Sequence, residues 1–195
     1  MQELKNIVGI IAIIMTVTGY IPYIKDTIKG KTKPHVYTWF LWATVSAIAF
    51  ALQMSDHAGV GGYVTLAAVI VCYVIFFLGL HIGKKDITKS DTIFLLLALI
   101  ALIIWLFAKQ PIVSVILLSV TEMLAFIPTV RKTWHNPHSE TLSSYIMNTI
   151  RFALGIFALQ NYSIITSLYP ITWLIANGTF SILLMTRRNK LTNNK

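Results

Sequence analysis

Along the chain, apolar stretches alternate with short polar breaks, and this alternation is the strongest signal the sequence carries. The apolar runs fall at 6–28, 36–54, 60–80, 92–108, 111–131, 142–160 and 163–186. Each is near the length of a helix that crosses a bilayer. The breaks carry turn or charge signals: Lys29-Gly30-Lys31, Ser55-Asp56-His57, Gly83 to Asp91, Lys109-Gln110-Pro111, Asn136-Pro137 and Gln160-Asn161. The pattern predicts an all-α integral membrane protein of seven transmembrane helices. The tight connection at 108–111 makes the fourth and fifth helices antiparallel neighbours.

Composition strengthens this reading. Of 195 residues, 56% are hydrophobic and only 12% charged, against about 25% charged in a soluble domain. That is too little polar surface to cover a water-soluble particle, so the lipid bilayer is the expected solvent. Seven spans and their loops leave no room for a separate soluble domain. The first run has a basic residue, Lys5, before an apolar stretch, as a signal peptide does. It lacks a small-x-small cleavage site and is expected to be a retained helix.

The net charge of +9 would suggest nucleic acid if it were clustered on a soluble surface, but its distribution excludes that partner. Lys25, Lys29, Lys31, Lys33, Lys84, Lys85, Lys89, Arg131, Lys132, Arg187, Arg188, Lys190 and Lys195 all fall on one side of the seven-span topology. Lys5 and Lys109 fall on the other, and Arg151 lies within a span. This bias puts the C-terminus in the cytoplasm and the N-terminus outside. Tyr37, Trp39 and Trp134 are expected at the inner interface, and Trp105, Tyr162 and Tyr169 at the outer one. Short termini without sorting motifs make a bacterial inner (plasma) membrane the simplest location.

The chain also repeats itself. Gly19-Tyr20-Ile21-Pro22-Tyr23-Ile24-Lys25 faces Ala125-Phe126-Ile127-Pro128-Thr129-Val130-Arg131, and Phe50-Ala51-Leu52-Gln53 faces Phe157-Ala158-Leu159-Gln160. Helices 1–3 and 5–7 are therefore expected to be copies. Three is odd, so one linking helix is needed to give both copies the same orientation. The organisation is two parallel three-helix bundles joined by a linker helix, 3+1+3. A first repeat covers 1–82, the linker and fourth helix 83–109, a second repeat 110–190 and a cytoplasmic tail 191–195.

A proline near the inner end of the first helix of each repeat, followed by a basic loop and a polar start to the next helix, resembles the PQ-loop family, which includes the SWEET (MtN3) sugar facilitators and lysosomal amino-acid exporters. The residues that carry the resemblance are Pro22-Tyr23 with Lys31-Thr32, and Pro128-Thr129 with Ser139-Glu140-Thr141-Leu142-Ser143. Neither proline is followed by glutamine, and the second and sixth helices lack the central proline of SWEET proteins. The asparagine that the family carries in each third helix stands once, as Asn177; Val71 occupies the matching position. The resemblance implies a transporter of a small polar solute. The departures weaken sugar as that solute.

Glu122 and Arg151 are the sharpest local signals. Each lies roughly 14–16 Å along its helix at 1.5 Å per residue, near the midplane, where a charge costs about 2.5–3.5 kcal/mol to insert. Both are expected to face the interior and each other. A structural ion pair, a substrate-binding pair with Arg151 holding an acid group, and a proton-coupling carboxylate at Glu122 all fit the sequence. Asn148 precedes Arg151 by one helical turn and Gly155 follows it by one. Asn177 shares a face of the seventh helix with Trp173 and Ser181. Thr16 and Thr44 occupy the positions of Glu122 and Arg151 in the first repeat, which looks nearly bare.

Asn177, Asn148, Arg151, Glu122 and Trp173 are thus the candidate substrate-binding residues. Pro22 and Pro128, whose rings remove a backbone hydrogen bond, are candidate hinges. His135 and His138 flank Asn136-Pro137 without helical ligand spacing, so no metal is expected. Cys72 is the single cysteine, a small buried residue without a disulfide partner in the chain. No motif of nucleotide binding, zinc-dependent hydrolysis or nucleophilic catalysis appears, so neither an enzyme nor a cofactor is expected. The reading is a transporter moving a sugar, amino acid or organic acid by alternating access, with protons as a candidate coupling ion and the oligomeric state open. A non-transporting membrane receptor or assembly factor on the same fold is the alternative. A central polar cavity reaching the midplane would favour transport, and a large basic cavity open to one side would favour a receptor.

Overall fold

A computed structural model describes residues 1–30, 34, 36–82, 89–135, 137–138 and 140–193. Among them every regular element is a helix: α1 (Gln2–Ile28), α2 (Val36–Ser55), α3 (Val60–Ile82), α4 (Lys89–Leu106), α5 (Pro111–His135), α6 (Leu142–Phe157) and α7 (Ile164–Asn193). Lys31 to Lys33, Lys84 and Lys85, Ser139 and Lys195 lie outside the described residues, as do the side chains of Tyr37, Pro128, Arg131, Lys132 and His135.

The breaks behave as their residues dictate. Gly30 closes α1 at φ +68°, and Gly59 turns the chain into α3 at φ +64°. Both lie in the left-handed region that glycine enters without a Cβ clash. Lys109 adopts φ 51° to make the tight turn into α5. The ends differ from the hydropathy pattern in both directions. α5 and α7 run on to His135 and Asn193, because a helix needs no apolar side chains once it leaves the apolar layer. α6 stops at Phe157 instead of 160. Phe50 to Gln53 are therefore helical while Ala158 to Gln160 form a turn, and the two matched segments are not equivalent in structure.

Among the described residues, four helical segments are long and apolar enough to cross a membrane: Gln2–Ile28, Thr38–Ser55, Val60–His81 and Ile164–Lys190. α4 and α5 have shorter apolar cores, Thr92–Leu106 and Pro111–Ile127, and α6 carries Arg151. The surface is that of a soluble protein turned inside out. Ile7, Ile10, Ile14, Val17 and Ile21 form an exposed aliphatic row on α1, and Ile93, Leu96, Ile100 and Ile103 form another on α4. Thr16, Ser46, Thr65, Ser119, Glu122, Arg151, Asn177 and Ser181 are buried. Water would reverse this arrangement, whereas lipid accepts it.

The two groups of three helices share one packing order. α3 lies along both α1 and α2, and α7 lies along both α5 and α6. Among the described residues α1 and α2 share no comparable interface, nor do α5 and α6. α4 packs on α5 and, more lightly, on α2. The main seam between the groups is α1 against α6; α3 with α6, and α2 with α5 and α7, complete it. One apolar cluster sits inside α1–α3 around Trp39, Ala43 and Ile75, and one inside α5–α7 around Phe126, Phe180 and Leu184. A third, around Leu41, Val45, Leu52, Ala101, Val115 and Leu118, ties α2 to α4 and α5.

Candidate functional site: a cavity between the helix groups

A cavity of about 450 Å³ lies between α1–α3 and α5–α7. Its deep end is formed by Ser46, Thr65, Glu122 and Tyr169. From there it reaches the end of the bundle that holds the C-terminus, at Tyr23, Thr38, Thr129, Glu140 and Thr141. Glu122, Asn148, Arg151, Trp173 and Asn177, all singled out from sequence, line it together.

Arg151 is buried on α6, and its position follows from helical spacing. Its Nε donates to Asn148 Oδ1, one turn earlier, at 2.7 Å. Its guanidinium lies over the Phe152 ring, 4.0 Å from the centroid, a cation–π contact that offsets part of the desolvation. The Tyr20 hydroxyl of α1 interacts with both Asn148 and Arg151. One guanidinium nitrogen, Nη1, has no hydrogen-bond partner.

Glu122 on α5 is 2% exposed. The Trp173 indole is the polar group beside it, but no donor reaches either carboxylate oxygen in hydrogen-bonding geometry. The expected ion pair is therefore absent: Glu122 and Arg151 line one cavity but do not bond to each other. The reason is tertiary order. α7 lies between α5 and α6, so equal depth on those two helices does not bring their side chains together.

Asn177 is buried, and its Nδ2 donates to the Trp173 carbonyl at 2.7 Å. Ser181 Oγ donates to the Asn177 carbonyl at 2.8 Å. The polar face of α7 is thus held partly on its own backbone. Gly155 continues the Arg151 face, but it packs on Val64 of α3 and does not line the cavity.

The remaining walls are mainly aromatic. Trp39 and Trp42 meet edge to face at 5.2 Å, Trp42 meets Trp173 at 6.3 Å, and Phe126 meets Trp173 at 5.7 Å. Two residues assigned to the membrane interfaces belong here instead: Trp39 is 6% exposed and Tyr169 is 3% exposed, with the Tyr169 hydroxyl 2.9 Å from Ser46 Oγ. Trp134 and Tyr162 are exposed near the bundle ends as expected. Helices α1–α3, which look nearly bare in the sequence, are not bare either. Thr16 and Thr44 bond back to the carbonyls of Ala12 and Phe40, but Tyr20, Tyr23, Trp39, Trp42, Ser46, Thr65 and Cys72 all reach the cavity.

Beyond the deep end the helices close on one another. A Cβ on Gly61 of α3 would lie 2.8 Å from the Gly155 carbonyl oxygen and 2.8 Å from the Leu159 nitrogen, so the two backbones touch. Between the turns that follow α2 and α6, the Gln160 amide donates to the Ala58 carbonyl at 3.0 Å, and Asn161 Nδ2 donates to the Asp56 carboxylate at 3.2 Å. Ser163 Oγ also donates to that carboxylate. Lys5 Nζ donates to the Leu159 carbonyl at 2.6 Å and lies over the Tyr162 ring.

Of the candidate hinges, Pro22 falls outside the lining, and the Pro128 side chain lies outside the described residues. Pro22 is exposed within a continuous α1, and Pro128 falls within α5; their neighbours Tyr23 and Thr129 line the cavity. A third helix-internal proline, Pro170 in α7, was not picked out from sequence. It has no N–H to offer the carbonyl four residues back, that of Thr166. Gln53 of α2 supplies the missing donor, its Nε2 reaching Thr166 O at 3.0 Å.

Comparison with protein-family models, with curated proteins and with solved structures finds no match to this chain.

Proposed function

We propose that the protein is a membrane transporter that moves a small polar solute by alternating access. In this reading all seven helices enter the bilayer, α1–α3 and α5–α7 act as two bundles with α4 as linker, and the fold is that of the PQ-loop and SWEET-like group. The N-terminus lies outside and the C-terminus in the cytoplasm of a bacterial inner membrane, following the distribution of Lys and Arg.

The observation that carries the proposal is the one-sided cavity. It runs from buried charged and polar groups to one end of the bundle, while the opposite end is shut by backbone contact at Gly61 and by the Asp56 hydrogen bonds. A site at the interface of repeats, reached from one side at a time, is what alternating access requires. The shared packing order of the two groups supports the bundle assignment. A receptor site for an anionic terminus would be strongly basic; this cavity sets Arg151 against Glu122 and Glu140.

Solute exchange into proteoliposomes tests the proposal, with sugars, amino acids and organic acids offered with and without a pH gradient. Saturable exchange is expected. Exchange driven by the gradient and lost in Glu122→Gln would make protons the coupling ion. Asn177→Ala should abolish exchange in a protein that still folds; undiminished exchange would remove Asn177 from the site. Failure of every solute would count against transport.

A further inference from the structure

Glu122 and Arg151 face the same cavity in different states. The guanidinium is held by Asn148 and by the Phe152 ring, with one nitrogen left over. The carboxylate has both oxygens empty and is almost completely withdrawn from solvent. An unanswered carboxylate at this depth is costly, and within membrane proteins such groups serve as counter-ions to ligands or lie on transport paths.

The surroundings specify which ligand group would answer it. Trp173 lies beside Glu122, with Phe126 and Trp42 packed on Trp173. The indole meets Glu122 through its polar edge, and a site walled by aromatic rings favours a cation over an anion wherever the ligand meets their faces. A carboxylate with two vacant oxygens calls for N–H or O–H donors. A sugar hydroxyl supplies a donor without charge, a quaternary ammonium supplies charge without a donor, and an organic acid supplies the wrong sign. A protonated amine supplies both charge and donors.

We propose that the solute carries an N–H-bearing ammonium group, seated at Glu122 against the Trp173, Phe126 and Trp42 rings. This rests on the cavity being the solute site and narrows the solute class. Two kinds of solute share that chemistry, a simple amine and an amino acid whose acid group turns toward Arg151 Nη1.

The test is equilibrium binding to the purified full chain. The probes are ethylammonium, butylammonium and phenethylammonium, their carboxylated counterparts alanine, norvaline and phenylalanine, and tetramethylammonium, phenylacetate and glucose. At least one amine or amino acid should bind saturably, with affinity falling on the order of tenfold or more in Glu122→Gln. Tighter binding of the amino acid than of its amine, lost in Arg151→Lys, assigns the acid group to Arg151; equal affinity makes the solute a plain amine. If Glu122→Gln fails to fold, Trp173→Leu provides the test, since losing the ring should weaken the amine several-fold.

Preference for phenylacetate, glucose or tetramethylammonium would overturn the proposal, as would binding of the amine or amino acid unchanged in the folded variants, or no binding of any amine or amino acid. Liposome exchange separates this from the broader reading. Saturable sugar exchange without binding of any amine or amino acid leaves a transporter and removes the ammonium; binding of an amine or amino acid without its exchange leaves the ammonium site and removes transport.

Discussion

At the end of the bundle near the N-terminus, α3 and α6 touch backbone to backbone at Gly61, and turns from the two helix groups exchange hydrogen bonds through Asp56, Asn161, Gln160 and Ala58. Toward the end near the C-terminus aromatic side chains of α1, α2, α5, α6 and α7 line the space between the groups, and the cavity reaches the rim between Tyr23, Thr38 and Thr129. Small residues allow close approach and many weak contacts, so that contact is sensitive to a single added atom. Large rings spread the helices and leave a space that another molecule can fill. The contrast teaches that two helix groups can close on small residues at one end and enclose an aromatic-lined space toward the other.

The largest effect should come from breaking the closed end directly. Gly61→Val places atoms where backbone already stands, and should cost about 3 kcal/mol or more, read as a lowered thermal midpoint in detergent. Gly178→Ala is the matched control. Its Cβ would lie 3.6 Å from Thr149 Cγ2, an ordinary contact, and the change should stay within about 1 kcal/mol.

Asp56→Ala removes an acceptor shared by Asn161 and Ser163 and should cost about 2 kcal/mol. Cys72 lines the cavity and is the only cysteine, so it reports which side is open. In the parent protein a small thiol reagent should reach it from the Tyr23 side only; in Asp56→Ala, labelling from the opposite side should appear. Labelling of the parent from both sides would erase the contrast.

Gln53→Ala leaves the Thr166 carbonyl without its donor, at about 1–2 kcal/mol. Adding Pro170→Ala restores a backbone N–H to that carbonyl, so the double variant should be more stable than Gln53→Ala alone. A double-mutant cycle measures this coupling, and simple additivity would show that Gln53 does not compensate for the proline. The smallest effect is expected at the other end. Arg187 donates to the Trp134 carbonyl at 3.1 and 2.8 Å and lies over its ring at 4.6 Å, and Arg187→Ala should cost only about 0.5–1 kcal/mol.

Helix positions were legible because their determinants are local: the length of each apolar run and the glycine, proline or charge that ends it. α2, α3, α5 and α6 begin at the first residue of the predicted runs. The charged and amide residues of the site were legible for a related reason, since Glu122, Arg151 and Asn177 are conspicuous in apolar surroundings. The aromatic walls were not. Trp39 and Tyr169 have the composition and the position along their helices of interface aromatics, and only rotation about the helix axis turns them inward. The missing Glu122–Arg151 pair has a similar origin, because side-chain depth is written in sequence while the order of helices around the bundle is not. Pro170 was passed over because its consequence appears only through Gln53, 113 positions distant along the chain.

The packing order of α1–α3 and α5–α7 has a consequence for how such a chain is made. In each group the third helix forms both of the long interfaces, and the first two meet through aromatic contacts such as Tyr23–Trp39 and Phe126–Tyr145. During synthesis the first two helices emerge before their partner exists. Each group is therefore completed only when its last helix arrives, and a ribosome that stops after α2 would leave α1 and α2 without the helix that both pack against. The second group carries the heavier risk: until α7 is complete, Glu122 and Arg151 must wait in an unfinished bundle.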